Sequence, residues 1–545
     1  MAATTHSSAV PGTTTTLAPD PARSARVVVV GDGPLTIDDV VDVARHGARV
    51  RLADAAVESM AASRAVVEGL ADDDRPHYGV STGFGALARR HIPVERRAQL
   101  QLSLVRSHAA GSGPEVEREV VRALQLLRLA TLATGRTGAR PVVAQTYAAM
   151  LDAGITPVVR EFGSLGCSGD LAPLAHVALA ALGEGEVRDA TGALVPAADA
   201  LATAGIAPLA LREKEGLALI NGTDGMLGML ALALHDLRSL LTTADVAAAA
   251  SVEALLGSDA PFAEDLVAMR PHPGQAASAA NLRALLDGSP VVASHRTLDA
   301  DGRPECTRVQ DAYSLRCAPQ VHGAARDTLD HAATVAGREL ASAIDNPVVT
   351  VDGRVESNGN FHGAPVAYVL DFLAIAAADV ASMSERRTDR FLDKARNEGL
   401  PPFLADDPGV DSGLMIAQYT AAGIVSELKR IATPASVDSI PSSAMQEDHV
   451  SMGWAGARKL RRAVDGLARV LAIELLTATR ALDLRCDGGS LHAARGTGAV
   501  RDLVRTAAAG PGPDRHLAPE IEAVTHLVTT GAVTAAASAA VGHLA

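Results

Sequence analysis

Apolar side chains recur every three or four positions along much of this chain. In one segment they form a single stripe, which is typical of an amphipathic helix with one buried face: Leu467, Val470, Leu471, Leu475, Ala478 and Leu482. The segment 225–234 is apolar on every side, as expected of a helix at the centre of a bundle. The pattern therefore predicts a long helical bundle.

The beginning of the chain has a different pattern. The valine run Val27–Val30 is followed by Gly-Asp-Gly-Pro, which predicts a short strand and a turn. Thr36, with Asp39 three positions later, predicts a capped helix that Gly47 ends. The Gly-x-Gly pair also resembles part of a dinucleotide-binding fingerprint. Because the third glycine is missing and Pro34 follows, cofactor binding is not favoured here.

The composition agrees with a mainly α fold. Of the 545 residues, 48% are hydrophobic and only 2% are aromatic. Small and straight-chain side chains such as Ala and Leu lose little freedom in a helix. We expect three parts: a disordered tail (1–25), an N-terminal part of glycine-rich loops and short strands (26–240), and a long helical bundle with C-terminal helices (241–545).

Charge and cysteine content narrow the classes of partner. The net charge of −14 disfavours binding to nucleic acid and to anionic membranes. The four cysteines have no C-x-x-C spacing, so a disulfide framework or zinc site is disfavoured and a reducing cytoplasm is expected. The first 25 residues lack the apolar stretch of a secretory signal. Residues 523–545 are uncharged, but Thr, Ser and Gly dilute them, so we expect a packed helix there.

Glycine-rich stretches interrupt the helical pattern and carry polar side chains that a plain bundle does not need. They are residues 77–85 (HYGVSTGFG), 163–174 (GSLGCSGDLAPL) and 219–225 (LINGTDG). Each stretch taken singly is more typical of a turn, because glycine adopts positive φ at little cost. Their combination with later motifs is what points to chemistry.

Further motifs follow at residues 309–316 (VQDAYSLR), 357–362 (SNGNFH) and 446–452 (QEDHVSM). Together with the glycine-rich stretches, and in the same order, they resemble the signature loops of the aromatic amino acid ammonia-lyases. The resemblance covers nearly all of the chain after the N-terminal tail. It implies an autocatalytic 4-methylideneimidazol-5-one (MIO) ring made from Cys167, Ser168 and Gly169, no external cofactor, and a homotetramer whose active sites are shared between subunits.

The tripeptide suits such a cyclisation chemically. Gly169 supplies an amide nitrogen that can approach the carbonyl of residue 167 closely, because glycine has no Cβ. Ser168 supplies a hydroxyl whose loss as water leaves a methylene group. The commonest family pattern has Ala where this chain has Cys167, and we expect that side chain to point away from the chemistry as a small buried hydrophobe. Asp170 is expected to orient the loop, to cap the following helix, or both.

The resemblance assigns catalytic roles to several residues. Tyr78 matches the base that removes the β-proton, and Asn221 matches the residue that hydrogen-bonds near the ring and the amine. Arg316 matches the binder of the substrate carboxylate. Tyr313 and Gln310 precede Arg316 at intervals of three, so they form one polar wall if this stretch is helical, a spacing that is also common on solvated helices.

Other positions bear on the substrate. Phe361 matches an aromatic residue close to the prosthetic group. Ser107 and His108 resemble the pair found in the family's histidine-specific members, and a hydrogen-bonding His108 penalises an apolar ring. Glu447 matches the same members and can accept an imidazole N–H. Met415 matches a pocket residue, although a core methionine is nearly as good an interpretation.

The residues thus favour elimination of ammonia from L-histidine to give trans-urocanate, with Tyr313 and Glu447 among the catalytic groups. Glu447 is followed by Asp448 and His449. This run does not suggest a metal site, because three adjacent residues cannot all face one ion. A tyrosine or phenylalanine lyase or an aminomutase of the same family is the closest alternative. A non-catalytic helical scaffold or a lyase of the fumarase type would not need the tripeptide.

Overall fold

A computed structural model describes residues 21–71, 77–83, 85–87, 90–294, 296, 301, 306 and 308–545. The structure is 60% helical. The helices in the first half are α1 (Pro21–Ser24), α2 (Ile37–Val41), α3 (Asp54–Ala71), α4 (Arg97–His108), α5 (Arg118–Ala133), α6 (Pro141–Asp152), α7 (Leu171–Ala181), α8 (Ala197–Thr203), α9 (Glu215–Ile220), α10 (Asp224–Ala254) and α11 (Glu264–Ala268). Those that follow are α12 (Pro273–Leu286), α13 (Pro290–Ser294), α14 (Tyr313–Arg316), α15 (Ala318–Leu340), α16 (Ala364–Leu392), α17 (Met415–Ile431), α18 (Gly453–Cys486), α19 (Arg495–Arg505), α20 (Ala518–Thr529) and α21 (Ala532–Val541).

The strands are short and form small separate sheets. They are β1 (Val27–Val30), β2 (Arg49–Leu52), β3 (Ser112–Glu115), β4 (Thr156–Pro157), β5 (Arg160–Phe162), β6 (Glu186–Arg188), β7 (Leu194–Pro196), β8 (Val348–Val349) and β9 (Val355–Glu356). Strands β1 and β2 pair in parallel, and the order β4-β6-β7 forms an antiparallel sheet. The pairs β3-β5 and β8-β9 are also antiparallel. The predicted mainly α fold is confirmed.

Helix α10 is the central element of the bundle. It packs against α15, α16 and α18, and α16 and α18 pack closely against each other. The segment 225–234, apolar on every side, is buried throughout within α10. The predicted stripe from Leu467 to Leu482 is buried within α18. Both predictions from the apolar periodicity are therefore confirmed.

The N-terminal predictions also hold. The valine run forms β1. The Thr36 hydroxyl accepts a hydrogen bond from the Asp39 amide, and the Asp39 carboxylate accepts one from the Thr36 amide, so both halves of a capping box are present. The helical segment continues as one wider turn, Asp42–His46, and ends at Gly47 in the left-handed conformation.

The proposed division of the chain does not coincide with a structural break. The boundary near residue 240 falls within α10, which is continuous and almost wholly buried. Within the predicted tail, residues 1–20 lie outside the described residues, and Pro21–Ser24 forms α1, where Arg23 pairs with Asp42. The three-part division therefore remains an interpretation of loop content.

Within the described residues, two parts of the chain are long and apolar enough to cross a membrane. The first is α16, and 61% of its most apolar window is buried inside the protein. The second is the pair α20 and α21, which together are long enough but are bent by 63° at Gly531, a left-handed residue. Because α20 packs on α18 and α21 packs on α19, the predicted packed C-terminal helix is present as two helices.

The buried stripe of α18 makes a stability prediction. Leu471 is fully buried at the centre of the bundle, so Leu471→Ala removes packed side-chain volume. We expect the free energy of unfolding to fall by about 2–5 kcal/mol, measured by denaturant titration. Leu266→Ala on α11 is the control, because that side chain is 47% exposed. Equal losses for the two variants would contradict the predicted packing.

Candidate active site

The loop that carries the tripeptide, residues 163–170, connects β5 to α7 and is called here the tripeptide loop. Gly169 has a φ of +77° and lies against Gly222, so that an added Cβ would overlap the Gly222 carbonyl. The Asp170 amide donates to that carbonyl at 2.7 Å. On the other side of the loop, the Ser451 hydroxyl donates to the Gly166 carbonyl at 2.9 Å. The loop is held tightly between two distant segments of the chain.

Asp170 orients this loop. Its carboxylate accepts hydrogen bonds from the Met226 amide at 2.8 Å and from the Ser164 hydroxyl at 2.9 Å. Burial raises the pKa of Asp170 to about 7, against the opposing effect of these hydrogen bonds. Its side chain does not cap α7, although Asp170 is the residue before that helix. It therefore serves the loop and the start of α10, and the alternative role as a cap of α7 is wrong.

Several helices begin at the tripeptide loop. Helix α7 starts directly after the tripeptide loop. Helices α10 and α18 start next to residues that hydrogen-bond to that loop. Gly363, which precedes α16, lies against Met226 and Ser451, so the start of α16 is close as well. Helix N-termini carry partial positive charge and unpaired amides. The loop therefore lies in an environment that favours negative charge.

Glu447 is the charged centre of the site. Residues 442 and 447 form a local bridge, and the Ser442 hydroxyl donates to the Glu447 carboxylate at 3.0 Å. The Glu447 charge acts to raise the pKa of Tyr78, His108 and Cys167. These side chains come from three separate segments, so the fold brings them around one carboxylate.

Tyr78 is half-buried, and its hydroxyl accepts a hydrogen bond from the Gly85 amide at 3.2 Å. Burial raises the pKa of the phenol, as do the charges of Glu447 and Asp345, while the Gly85 hydrogen bond lowers it. The net direction is upward. A phenolate at Tyr78 is therefore favoured only at alkaline pH.

His108 is the last residue of α4, and its geometry identifies its tautomer. Its Nδ1 lies 2.9 Å from the Leu104 carbonyl oxygen and 3.1 Å from the Ser107 hydroxyl. Because a carbonyl can only accept, Nδ1 carries the proton and Nε2 is an acceptor. Burial lowers the pKa of His108 more than Glu447 raises it, so the neutral ring is favoured.

Asn221 ends α9, beside Gly222, and is almost fully buried. Its Nδ2 donates to the Asn346 carbonyl at 2.9 Å and lies 3.5 Å from the Asp345 carboxylate. Its Oδ1 is buried and accepts no hydrogen bond. A buried acceptor without a donor is costly and marks a position for a ligand N–H.

Cys167 departs from the sequence prediction. The charge of Glu447 acts on its thiol, so the side chain lies near the carboxylate of the site, whereas the sequence analysis expected it to point away. Burial, with the Glu447 charge, raises the pKa of the Cys167 thiol to about 12. The thiol therefore stays protonated, in agreement with the prediction that it is no nucleophile.

Phe361 lies in the turn before α16, two residues from Gly363, and is half-buried. The ring of the next residue, His362, stacks on His449 with centroids 5.7 Å apart. This turn therefore approaches the tripeptide loop through Gly363 and the Glu447 segment through His449. The described residues contain no group of three or more His, Cys, Asp or Glu side chains suited to a metal ion.

The remaining predicted residues lie at the other end of the bundle. Tyr313 and Arg316 form the ends of α14, and the guanidinium lies over the Tyr313 ring, 4.6 Å from its centroid. Asp311 accepts from the Ser258 amide at 2.7 Å, which fixes this segment beside the C-terminal end of α10. Gln310 is exposed and precedes the helix, so only part of the predicted polar wall is helical.

Met415 lies at this end too, because it begins α17 next to Gln418, which donates to Glu385 of α16. Helix α10 has 31 residues, which at 1.5 Å each span about 46 Å. The tripeptide loop is at its beginning and α14 is at its end. Within one chain, the predicted site residues therefore form two groups that are too far apart to share a substrate.

Comparison with known proteins identifies the family of this chain. The sequence profile of the family described as "Aromatic amino acid lyase" matches residues 35–506. The chain belongs to this family. Histidine ammonia-lyase of Streptomyces griseus is 65% identical over 95% of this chain and 99% of its own length. The corresponding Streptomyces coelicolor protein is 64% identical over the same shares.

Solved structures of the aromatic amino acid lyase family have the same fold. Tyrosine aminomutase from Streptomyces globisporus has a TM-score of 0.89 at 39% identity, over 95% of this chain and 100% of that one. Histidine ammonia-lyase from Trypanosoma cruzi has a TM-score of 0.85 at 38% identity, over 95% and 96%. The fold is thus common to lyases and aminomutases, and it does not separate their substrates.

One pair of residues in the site was missed by sequence reasoning. Lys214 and Asp345 are both buried and form an ion pair at 2.6 Å next to Asn221. Lys214 stands among charged neighbours, Arg212, Glu213 and Glu215, so the sequence does not mark it as buried. Nothing in the sequence pairs it with a residue 131 positions away.

The position of Glu447 makes a prediction about Tyr78. Glu447→Gln removes a charge that raises the pKa of the phenol, so we expect the Tyr78 phenolate to form at lower pH than in the natural protein. Tyrosinate absorbance is measured against pH, taking the difference between each protein and its Tyr78→Phe counterpart.

Glu520→Gln serves as the control, since Glu520 pairs with Arg515 in the C-terminal region and is not among the charges that act on Tyr78. An unchanged or raised Tyr78 pKa in Glu447→Gln would refute the proposed field of Glu447.

Proposed function

We propose that this chain is a histidine ammonia-lyase, which eliminates ammonia from L-histidine to give trans-urocanate. The observation that carries the proposal is the grouping of His108 and Glu447 around the tripeptide loop, since both can hydrogen-bond an imidazole. The names of the most similar relatives support it. The four cysteines are free, which fits a cytoplasmic location.

We infer that the electrophile is an MIO ring formed from Cys167, Ser168 and Gly169, as the family uses. The close packing of Gly169 on Gly222 and the tight hydrogen bonding of the loop suit a cyclisation that needs backbone atoms in contact. The ring supplies an electrophile that no ordinary side chain provides. The helix N-termini around it would stabilise negative charge that develops there.

The chain's own groups then bind the imidazole and the amine. The His108 Nε2 acceptor takes the N–H of the substrate imidazole. Glu447 faces the second ring nitrogen and accepts its N–H when the imidazole is protonated, which stabilises the cationic ring. The free Oδ1 of Asn221 accepts a hydrogen bond from the substrate amine. An apolar ring would offer no hydrogen bond to the Nε2 of His108 or to the Glu447 carboxylate, which disfavours phenylalanine.

Tyr78 is the proposed base for the β-proton of the substrate. Its pKa is raised, so the phenolate population increases as the pH rises, and activity should rise on the alkaline side. The Gly85 amide, which donates to the phenol oxygen, stabilises that phenolate.

We propose that Arg316 binds the substrate carboxylate in a site completed by a second copy of the chain. The guanidinium is suited to a two-point grip, and Tyr313 stacks against it. Since α14 and the tripeptide loop lie at opposite ends of α10, which is about 46 Å long, the site requires another subunit's α14. Exposed apolar side chains on α16 and α17 offer a surface for this association: Tyr368, Phe372, Ile375, Ile416 and Tyr419.

A homotetramer with shared sites fits this arrangement. Gln310, exposed beside α14, and Met415, at the start of α17, would enter the shared site from the same end as Arg316. Phe361 would enter with the tripeptide loop. A single chain would be inactive.

A tyrosine or phenylalanine lyase or an aminomutase is the second candidate, because tyrosine aminomutases share the fold closely. His108 with Glu447 favours histidine, and a substrate panel with all three amino acids distinguishes them. A non-catalytic scaffold would have no use for a buried, unbonded Asn221 oxygen beside a strained glycine loop.

An intact mass and a urocanate absorbance assay test the proposal together. We expect a mass lower than the sequence mass by two waters, urocanate formation from histidine, and loss of both in Ser168→Ala. Cys167→Ala should keep the mass deficit, because only the carbonyl of that residue enters the ring. A full mass in the natural protein would contradict the proposed MIO ring. A mass deficit without urocanate formation would contradict histidine as the substrate and favour tyrosine or phenylalanine.

Mixing two inactive variants tests the shared site. Ser168→Ala and Arg316→Ala damage opposite ends of the bundle, so coexpressed subunits should form some sites free of both changes and regain activity that neither variant has alone. The control pair is Arg316→Ala with Tyr313→Ala, because both changes lie on α14 and every site then carries one of them. Absence of recovery in the first pair, with mixed oligomers demonstrated by mass, would rule out the two-copy site.

A further inference from the structure

Lys214 is a buried cation that the proposed mechanism does not use. Its side chain is 0% exposed, and its Nζ donates to Asp345, which is 1% exposed, at 2.6 Å. Burial lowers the pKa of Lys214, the Asp345 charge raises it, and Arg128 lowers it. Buried ion pairs are costly to form, so their presence next to a functional residue needs a reason.

The ion pair is linked to Asn221. The Asp345 carboxylate that holds Lys214 also faces the Asn221 Nδ2 at 3.5 Å and accepts from the Asn346 amide at 2.8 Å. The Asn346 carbonyl accepts the stronger bond from Asn221 Nδ2 at 2.9 Å. A flipped Asn221 amide would place its oxygen against two acceptors. The segment 345–346 therefore determines that the Asn221 oxygen remains free.

Lys214 also fixes the other end of the same helix. It is the residue before α9, and Asn221 is the residue after it. Lys214 has a φ of +67°, which is rare and unfavourable for a side chain other than glycine. Its side chain pairs with Asp345, and the Asp345 carboxylate faces the side-chain Nδ2 of Asn221. The two ends of α9 are thus joined through one buried ion pair.

We propose that Lys214 and Asp345 are positioning residues, which hold the Asn221 carboxamide with its oxygen directed to the substrate amine. This inference rests on the proposed function. Neither residue touches the reacting atoms; both act through Asn221. Their loss should reduce kcat without preventing formation of the prosthetic ring.

The ion pair also sets the charge near the base. Asp345 acts to raise the pKa of Tyr78, as Glu447 does, and Lys214 partly neutralises Asp345. Removal of the Asp345 charge should therefore lower the pKa of Tyr78. This effect gives a second readout that is independent of turnover.

The test replaces the ion pair by a neutral pair, Lys214→Met with Asp345→Asn, in the full chain. The matched control is Lys459→Met with Asp371→Asn, another lysine–aspartate pair, with a distance of 2.7 Å, between α18 and α16. Melting temperature, intact mass, kcat and KM for histidine are measured for both. We expect kcat to fall about 10- to 100-fold in the first variant only, with the mass deficit retained.

A mutant cycle separates positioning from stability. In an Asn221→Ala background, Asp345→Asn should cause little further loss of kcat, because the group that it positions is gone. A structural role would instead give the same loss in both backgrounds. In a Ser168→Ala background, Asp345→Asn should lower the pH at which the Tyr78 phenolate appears, and this readout needs no turnover.

Wild-type kcat in the neutral-pair variant, or equal losses with and without Asn221, would overturn the proposal. If the neutral-pair variant does not fold, the cycle with Asp345→Asn alone decides. If the natural protein does not turn over histidine, the proposed function is wrong. The same mutant cycle would then be measured with tyrosine or phenylalanine as substrate.

Discussion

Gly169 packs against Gly222 so closely that no side chain fits between the two backbones. This contact seats the tripeptide loop on the segment that precedes α10. The Asp170 carboxylate extends the contact to the first turn of α10, and Ser451 closes it from the start of α18. The positions of Asn221, the helix N-termini and the Glu447 segment relative to the tripeptide all follow from this arrangement. A side chain at position 169 would overlap the Gly222 backbone and separate the two segments.

The second constraint is the length of the central helix. A continuous helix of 31 residues is stiff, so it keeps its two ends about 46 Å apart. In the proposed mechanism, one end presents an electrophile, a base and imidazole partners, and the other presents a cation for a carboxylate. An amino acid is far too small to reach both. The proposed mechanism therefore makes catalysis depend on association, and the exposed apolar side chains of α16 and α17 offer one surface for it.

Local patterns predicted local structure well. The β1 valine run, the capping box at Thr36 and the buried stripe of α18 all depend on neighbours within a few residues, and all three were predicted correctly. The candidate site residues were named from motifs, and their roles stay a prediction. The resemblance implied active sites shared between subunits, but the local sequence did not indicate which residues lie at which end of the bundle, because the length and direction of α10 decide this. The direction of Cys167 was wrong for a similar reason: its neighbour Glu447 is brought there by a distant loop. The Lys214–Asp345 pair joins residues 131 positions apart, and no periodicity signals such a contact.

The central claim is that the tripeptide loop of one copy meets the α14 helix of another. The most direct measurement is an electron cryomicroscopy structure of the purified assembly with histidine bound. The account predicts that the Arg316 guanidinium of a second copy lies beside the substrate carboxylate, close to Ser168 of the first. It would be contradicted by an assembly in which every Arg316 faces solvent, or by a monomer that turns over histidine.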